Sequence, residues 1–308
     1  MSNVSTPRAR DTIVQCVLEA RSSFHEKQQR ALQMLASLTK VSAQNRSLLA
    51  QSEGAIPTLL ALSKSPSSTV QTLALSVLFN LSLNPDLKLL LADMETIHSL
   101  NSVIILSTSP ESSRLASSLI CSLALLDKNK AKFGVAGTIQ LLVKAICGPM
   151  SPDVAHHLLS SLAELVQFHG NCTLAVRSGA IPALLRLAES SDEEDLAATS
   201  LTILGLLARF DEGLRALRKT DGIVASMVDV IVGRSMLSKE GAADVLLRLF
   251  DESEGCIRDA LRLSELSTVL ADLSVRGSSR AREKAALLMK KMMEVESYAD
   301  GNSILYEW

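Results

Sequence analysis

One pattern of small, apolar and leucine-like positions repeats along the chain. Ala74, Leu78 and Leu81 are spaced by four and three residues, the spacing of a single face of an α-helix. The same triplet recurs as Ala31/Leu35/Leu38, Ala116/Ile120/Leu123, Leu158/Leu162/Leu165, Ser200/Leu204/Leu207, Ala242/Leu246/Leu249 and Ala285/Met289/Met292. The last members stand at positions 38, 81, 123, 165, 207, 249 and 292, so neighbouring copies lie 42 or 43 residues apart. A pattern that keeps phase over this distance predicts stacked helical repeats, each unit packed on its neighbours.

The residues between the triplets mark two further helices per repeat. In the clearest copy, Asn171 to Ser178 reads as a short helix ended by Gly179, because glycine enters the left-handed conformation without steric cost. Pro182 then falls in the first turn of the next helix, where its missing N–H is harmless. That helix carries Leu184, Leu185 and Leu187, and a polar loop from Glu189 to Asp195 leads into the longest helix, the one that bears the triplet. The phrase Gly179-Ala180-Ile181-Pro182 has an earlier copy, Gly54-Ala55-Ile56-Pro57, and the glycine position is filled by Glu95, Gly137, Gly222 and Ser264 in weaker copies.

This ruler gives seven repeats, beginning near Asp11, Asn45, Asp86, Lys128, Gly170, Glu212 and Glu254. The first lacks its first helix, so Thr12 to Ala20 is a second helix. Residues 11–294 form the repeat region. Met1 to Arg10 is expected to be a disordered lead, and Val295 to Trp308 a tail beyond a last helix ending near Glu294. The tail holds the single Trp and both Tyr residues. Its end, Ile304 to Trp308 with Tyr306, reads either as a linear motif or as a segment folding back on the last repeat.

At 47% hydrophobic the chain is too apolar to be disordered. At 3% aromatic it suits thin layers of Leu, Ala, Ile and Val between helices better than one thick core. Lys+Arg of 31 against Asp+Glu of 33 leaves a net charge of −2, so no global basic field draws in nucleic acid or an anionic membrane. The five cysteines form no Cys-x-x-Cys pair and sit beside no histidine at metal spacing. They read as buried thiols in a reducing compartment. No apolar run approaches the ~18 residues of a membrane span, and the N-terminus has no signal-like apolar region. We therefore expect a cytoplasmic or nuclear monomer with no metal and no cofactor.

Enzyme motifs are also missing: no Gly-x-Ser-x-Gly elbow, no phosphate-binding Gly-x-x-x-x-Gly-Lys-Ser/Thr loop, no His-Glu-x-x-His. We expect no catalytic residues.

Three-helix units of about 42 residues with a Gly-Ala-Ile-Pro-x-Leu-Leu phrase resemble armadillo repeats. Within that superfamily the chain is most similar to the repeat region of plant U-box ubiquitin ligases and their relatives without a U-box. The residues that carry this likeness are Leu123 to Lys130 followed by Gly134 to Ile139, Gly170-Asn171-Cys172 leading to Ala175 to Pro182, and Glu240 to Leu249. The resemblance implies an all-α, right-handed superhelical armadillo-repeat solenoid. In that family the repeats recognise a protein while a separate U-box recruits the ubiquitin-charged enzyme. About ten residues precede the first repeat here, too few for a U-box. Target recognition is therefore expected rather than intrinsic ligase activity, the alternative being a ligase whose U-box is missing from this chain.

In an armadillo stack the third helices line a concave groove, at positions one and five residues before the last member of each triplet. These are Gln33 and Ser37, Ser76 and Asn80, Ser118 and Ser122, Ser160 and Glu164, Thr202 and Leu206, Asp244 and Arg248, and Leu287 and Lys291. Importin-α-like armadillo proteins carry Trp and Asn there, repeat after repeat. Only Asn80 fits that pattern, which disfavours a nuclear transport adaptor. The serine-rich middle suits a peptide or helix lying close to the backbone, with hydroxyls available for hydrogen bonds, or it simply solvates the helix face.

Other polar clusters have plain structural readings. The adjacent pair His156-His157 points about 100 degrees apart on a helix and does not chelate, and His169 reads as a surface residue. The acidic run Asp192 to Asp195 suits the positive end of a helix dipole. The basic set Arg276, Arg280, Arg282, Lys284, Lys290 and Lys291 is either a solvated cap face or a site for an anionic partner. The leading reading is a non-catalytic scaffold binding a protein or peptide, serving target selection in ubiquitination or kinase-linked signalling.

Overall fold

The computed structural model describes residues 5–106, 109–149, 151–190 and 193–303, and every regular element in them is a helix. The helices fall on the 42-residue ruler. The first repeat holds two, α1 (Ser5–Ala20) and α2 (His25–Val41). The second holds α3 (Ala43–Gln51), α4 (Ala55–Leu62) and α5 (Ser68–Ser82); the third α6 (Pro85–Leu91), α7 (Met94–Leu106) and α8 (Pro110–Ala124). The fourth holds α9 (Asp127–Val135), α10 (Thr138–Cys147) and α11 (Pro152–Leu165); the fifth α12 (His169–Arg177), α13 (Ala180–Ser190) and α14 (Glu194–Leu207). The sixth holds α15 (Asp211–Arg218), α16 (Ile223–Gly233) and α17 (Met236–Glu252), and the seventh α18 (Glu254–Leu261), α19 (Leu266–Arg276) and α20 (Ser279–Ser303).

The turn between first and second helices depends on backbone handedness. Gly54, Gly137, Gly179 and Gly222 all have positive φ, between 67° and 84°, the region that side-chain-bearing residues avoid. Where glycine is absent the turn is built differently. In the third repeat α7 starts one residue before Glu95, and the Asp93 carboxylate caps it by accepting from the Thr96 N–H at 2.6 Å. In the seventh, Glu265 enters α19 in a right-handed conformation. Some of the third helices are started by serine caps that accept a backbone N–H: Ser109 accepts from the Ser112 N–H, with Pro110 behind it, and Ser235 accepts from that of Ser238.

Contacts divide the chain into two compact units, residues 1–171 and 172–308. In the N-terminal unit the third helices α2, α5, α8 and α11 pack in succession. Leu35, Leu78, Leu81, Ile120, Leu123, Leu162 and Leu165 are buried between them, each contributing roughly 1.5–3 kcal/mol. In the C-terminal unit α14, α17 and α20 pack in the same way, over Leu204, Leu207, Leu246 and Leu249.

Several expectations are corrected. The helix expected from Thr12 begins at Ser5, so Ser5–Arg10 are helical rather than a disordered lead. The last helix runs past Glu294 to Ser303, taking in most of the expected tail. In α20 Leu288, not Met289, is buried alongside Ala285 and Met292. Leu38 is only half-buried, unlike the other leucines that close the triplets. Cys16, Cys172 and Cys256 are buried thiols, but Cys147 is exposed and Cys121 half-buried. Asp192 and the segment Ile304–Trp308 lie outside the described residues. No single described helix is long and apolar enough to cross a membrane.

Candidate protein-binding surface

The groove positions of the N-terminal unit separate into two classes. In the second to fourth repeats, those one residue before the closing leucine are tied into the stack. Asn80 is 7% exposed, and its amide donates to the Ala36 carbonyl and the Thr39 hydroxyl, both at 3.1 Å. Ser122 is equally buried and accepts from the Ser82 hydroxyl at 2.8 Å. Glu164 pairs with the buried Lys130 ammonium at 2.9 Å. Asn80 and Ser122 therefore do not present a binding surface, because carbonyls and hydroxyls of the preceding third helix lie within their reach.

The positions one turn earlier remain open to solvent. Ser76, Ser118 and Ser160 are half-buried. The Ser160 hydroxyl returns to the His156 carbonyl of its own helix at 2.9 Å. The Ser118 hydroxyl meets His157 Nδ1 at 3.1 Å. His156 and His157 stack edge to face rather than converging on a common point, and among the described residues no group of His, Cys, Asp and Glu forms a metal-holding cluster. His169 starts α12. In the first repeat Gln33 and Ser37 are both exposed.

In the C-terminal unit, Thr202 is exposed and Leu206 half-buried. Asp244 is held by Arg248 at 3.4 Å and by Lys284 at 3.1 Å. A Cβ on Gly205 would come within 2.9 Å of the Asp244 carboxylate, so glycine leaves room for it. Leu287 is exposed, and Lys291 pairs with Asp251 at 2.6 Å. Of the basic set, Arg276 and Lys290 also have carboxylate partners, Asp272 and Glu294. Four of the six cations of this set are therefore paired with carboxylates, and Arg280 and Arg282 are exposed. Glu194 and Asp195 lie in the first turn of α14, where they favour the helix dipole.

A second set of residues escaped the sequence reading although its spacing was visible. Asn45, Asn129 and Asn171 each send the side-chain amide to the carbonyl of the leucine closing the preceding third helix: Leu38, Leu123 and Leu165, all at 3.0 Å. Asn129 and Asn171 also reach back one repeat, to Lys88 and Lys130 carbonyls. In the sixth repeat the position is Gly213, whose Cβ would stand 2.1 Å from the Leu207 carbonyl oxygen. There the helices touch directly. Arg46, Lys88 and Lys130 form another 42-residue series. The shared spacing was the available signal, but polar residues in first helices carry no apolar periodicity to flag them.

A stack of helix triplets with left-handed glycine turns and amide-bonded repeat junctions defines an armadillo-repeat protein. The chain belongs to the plant U-box protein ARM repeat region family, whose model matches residues 13–303. It is 28% identical over 214 residues to U-box domain-containing protein 8 of Arabidopsis thaliana, covering 70% of this chain and 55% of that protein. It is 27% identical over 254 residues to U-box domain-containing protein 1 of Medicago truncatula, covering 82% of this chain and 36% of that protein. The chain thus spans about half or less of the length of these relatives. Among solved structures, an engineered protein superposes with a TM-score of 0.69 at 20% identity, over 78% of this chain and 96% of that one. A designed armadillo repeat protein does so with a TM-score of 0.56 at 15% identity, over 91% and 99%. These two likenesses concern the fold.

Proposed function

We propose that the chain is a non-catalytic scaffold that captures a protein segment on its third-helix faces, with Ser76, Ser118 and Ser160 lining the contact in the N-terminal unit. The observation that carries this is the division of the groove positions. In the second to fourth repeats one row is locked into bonds with neighbouring helices and keeps the face rigid, while the row beside it stays small, polar and open to solvent. A rigid platform lowers the ordering cost of association. The family relationship supports target selection for ubiquitination, and we place that role, or a kinase-linked one, in a monomer of the cytoplasm or nucleus.

The test must avoid Ser122 and Glu164, since replacing them damages the stack itself. Ser76→Arg with Ser160→Arg fills the open row and is expected to remove the protein set that proximity labelling finds around the wild-type chain. Surface changes of this kind shift stability by about 0.5 kcal/mol or less, so helical content and melting stay put. An unchanged labelled set in a folded double variant rejects the assignment.

A second reading, that these repeats are the recognition part of a ubiquitin ligase, is favoured by the names and greater lengths of the relatives. Reading the transcript around the coding frame tests it: an in-frame U-box supports the ligase, and a stop codon directly upstream of Met1 rejects it.

A further inference from the structure

We propose that the ends of the third helices in the N-terminal unit dock an acidic peptide segment, its carboxylate on the Lys88 ammonium and its apolar side chains on Leu83 and Leu125. This deepens, and rests on, the reading that the unit captures a protein segment.

The argument starts from the repeat. Lys88 and Lys130 occupy the same register, 42 residues apart, and each reaches the end of the following third helix. Lys130 finds Glu164 at 2.9 Å and Asp127 at 2.8 Å. For Lys88 the residue matching Glu164 is Ser122, whose hydroxyl is already bonded to Ser82. The Lys88 ammonium therefore makes one hydrogen bond, to the Ser122 carbonyl at 2.7 Å, and among the described residues no carboxylate lies within ion-pair distance of it. Glu164 is near enough to favour the charge, but it is engaged by Lys130. An ammonium carries three donors, so two are left for a ligand. Burial also pulls the Lys88 pKa below the ordinary lysine value, the mark of a cation short of a counter-charge.

The surroundings specify what accompanies the carboxylate. Leu83 and Leu125 follow Asn80 and Ser122 by one helical turn, in right-handed cap conformations that keep them on the same side as the groove row. They are 47% and 59% exposed. Val41 and Phe168 are exposed at the matching ends of the first and fourth repeats. The Phe168 ring lies against Gly170, where a Cβ would come within 3.0 Å of it. An apolar row broken by one under-neutralised cation is complementary to apolar side chains flanking an acidic one. Apolar flanks that exclude water also strengthen the charge pair.

The test selects dodecapeptides from a displayed random library on the full chain. Selected peptides are expected to carry Asp or Glu between apolar residues. Lys88→Gln should erase that preference, and Lys88→Arg, which keeps the charge, should preserve it. By fluorescence anisotropy, the best selected peptide should lose tenfold or more in affinity with Lys88→Gln and with Leu125→Ser, while circular dichroism shows both variants folded. Failure to select any peptide, selection without acidic preference, or equal selection by Lys88→Gln overturns the proposal. Peptides that lose binding to Ser76→Arg/Ser160→Arg but bind Lys88→Gln normally overturn it while leaving the scaffold reading intact. Peptides indifferent to all of these variants overturn both.

Discussion

Lys130 is 3% exposed and charged. Burial opposes its charge, but hydrogen-bonded Asp127 and Glu164 outweigh it and lift the ammonium pKa above the ordinary lysine value. Glu164 was expected on the groove because of where it falls on α11, and its spacing from Leu165 is indeed that of a surface position. What spacing could not give is that Lys130 of another helix arrives beneath it. His157 makes the same point with a proton. Burial, then Arg114 and His156, hold its pKa below the ordinary histidine value, against weaker pulls from Asp153 and Glu111. An unfolded histidine takes up a proton as pH falls past ~6.5, while folded His157 does so only at lower pH. In that window the unfolded chain binds more protons, so stability falls on acidification. Melting temperature should therefore decline between about pH 7.5 and 5, and His157→Gln should flatten the decline. Parallel curves for the two proteins would remove His157 from the account.

At the scale of elements, helix identity followed from apolar spacing, and most starts followed from caps and glycine turns. The errors sit at the ends of the first and last helices. Pro7 falls in the first turn of α1, where its missing N–H costs nothing, and no glycine or proline stands beside Glu294 in α20, so both helices run on beyond the apolar repeat pattern. The glycines also divide by mechanism. Gly179 is needed for φ, at +84°, with nothing within 4 Å of a Cβ. Gly179→Ala should cost about 1–2 kcal/mol. Gly213 is needed for space, because a Cβ would meet the Leu207 carbonyl. Gly213→Ala should cost more, about 3 kcal/mol, as backbone must move. Urea unfolding of the two variants ranks them, and the reverse order would show that the α14–α15 junction is looser than drawn.

For the whole molecule, the repeat makes stability a matter of neighbours. Leu165 is fully buried, and Leu165→Ala should cost roughly 2–5 kcal/mol as a cavity. Because each repeat leans on those beside it, amide exchange should quicken first in α8, α10 and α11 of the N-terminal unit. Uniform acceleration throughout that unit would instead mean that it opens as a single cooperative body.

The amino-acid order by itself determined the all-helical class, the seven-repeat register and the family, because apolar periodicity and turn-forming glycines act within a few residues of where they stand. Only the tertiary structure decided which polar side chains are consumed inside the stack and which face solvent. Asn80, Ser122 and Glu164 share a register with residues that look free, and their partners stand on other helices, at Ala36, Ser82 and Lys130. Hydrogen bonds and ion pairs need contact within a few ångströms, and that distance is set by how helices pack rather than by where residues fall in the chain. The same packing leaves Lys88 with a serine where Lys130 has a glutamate.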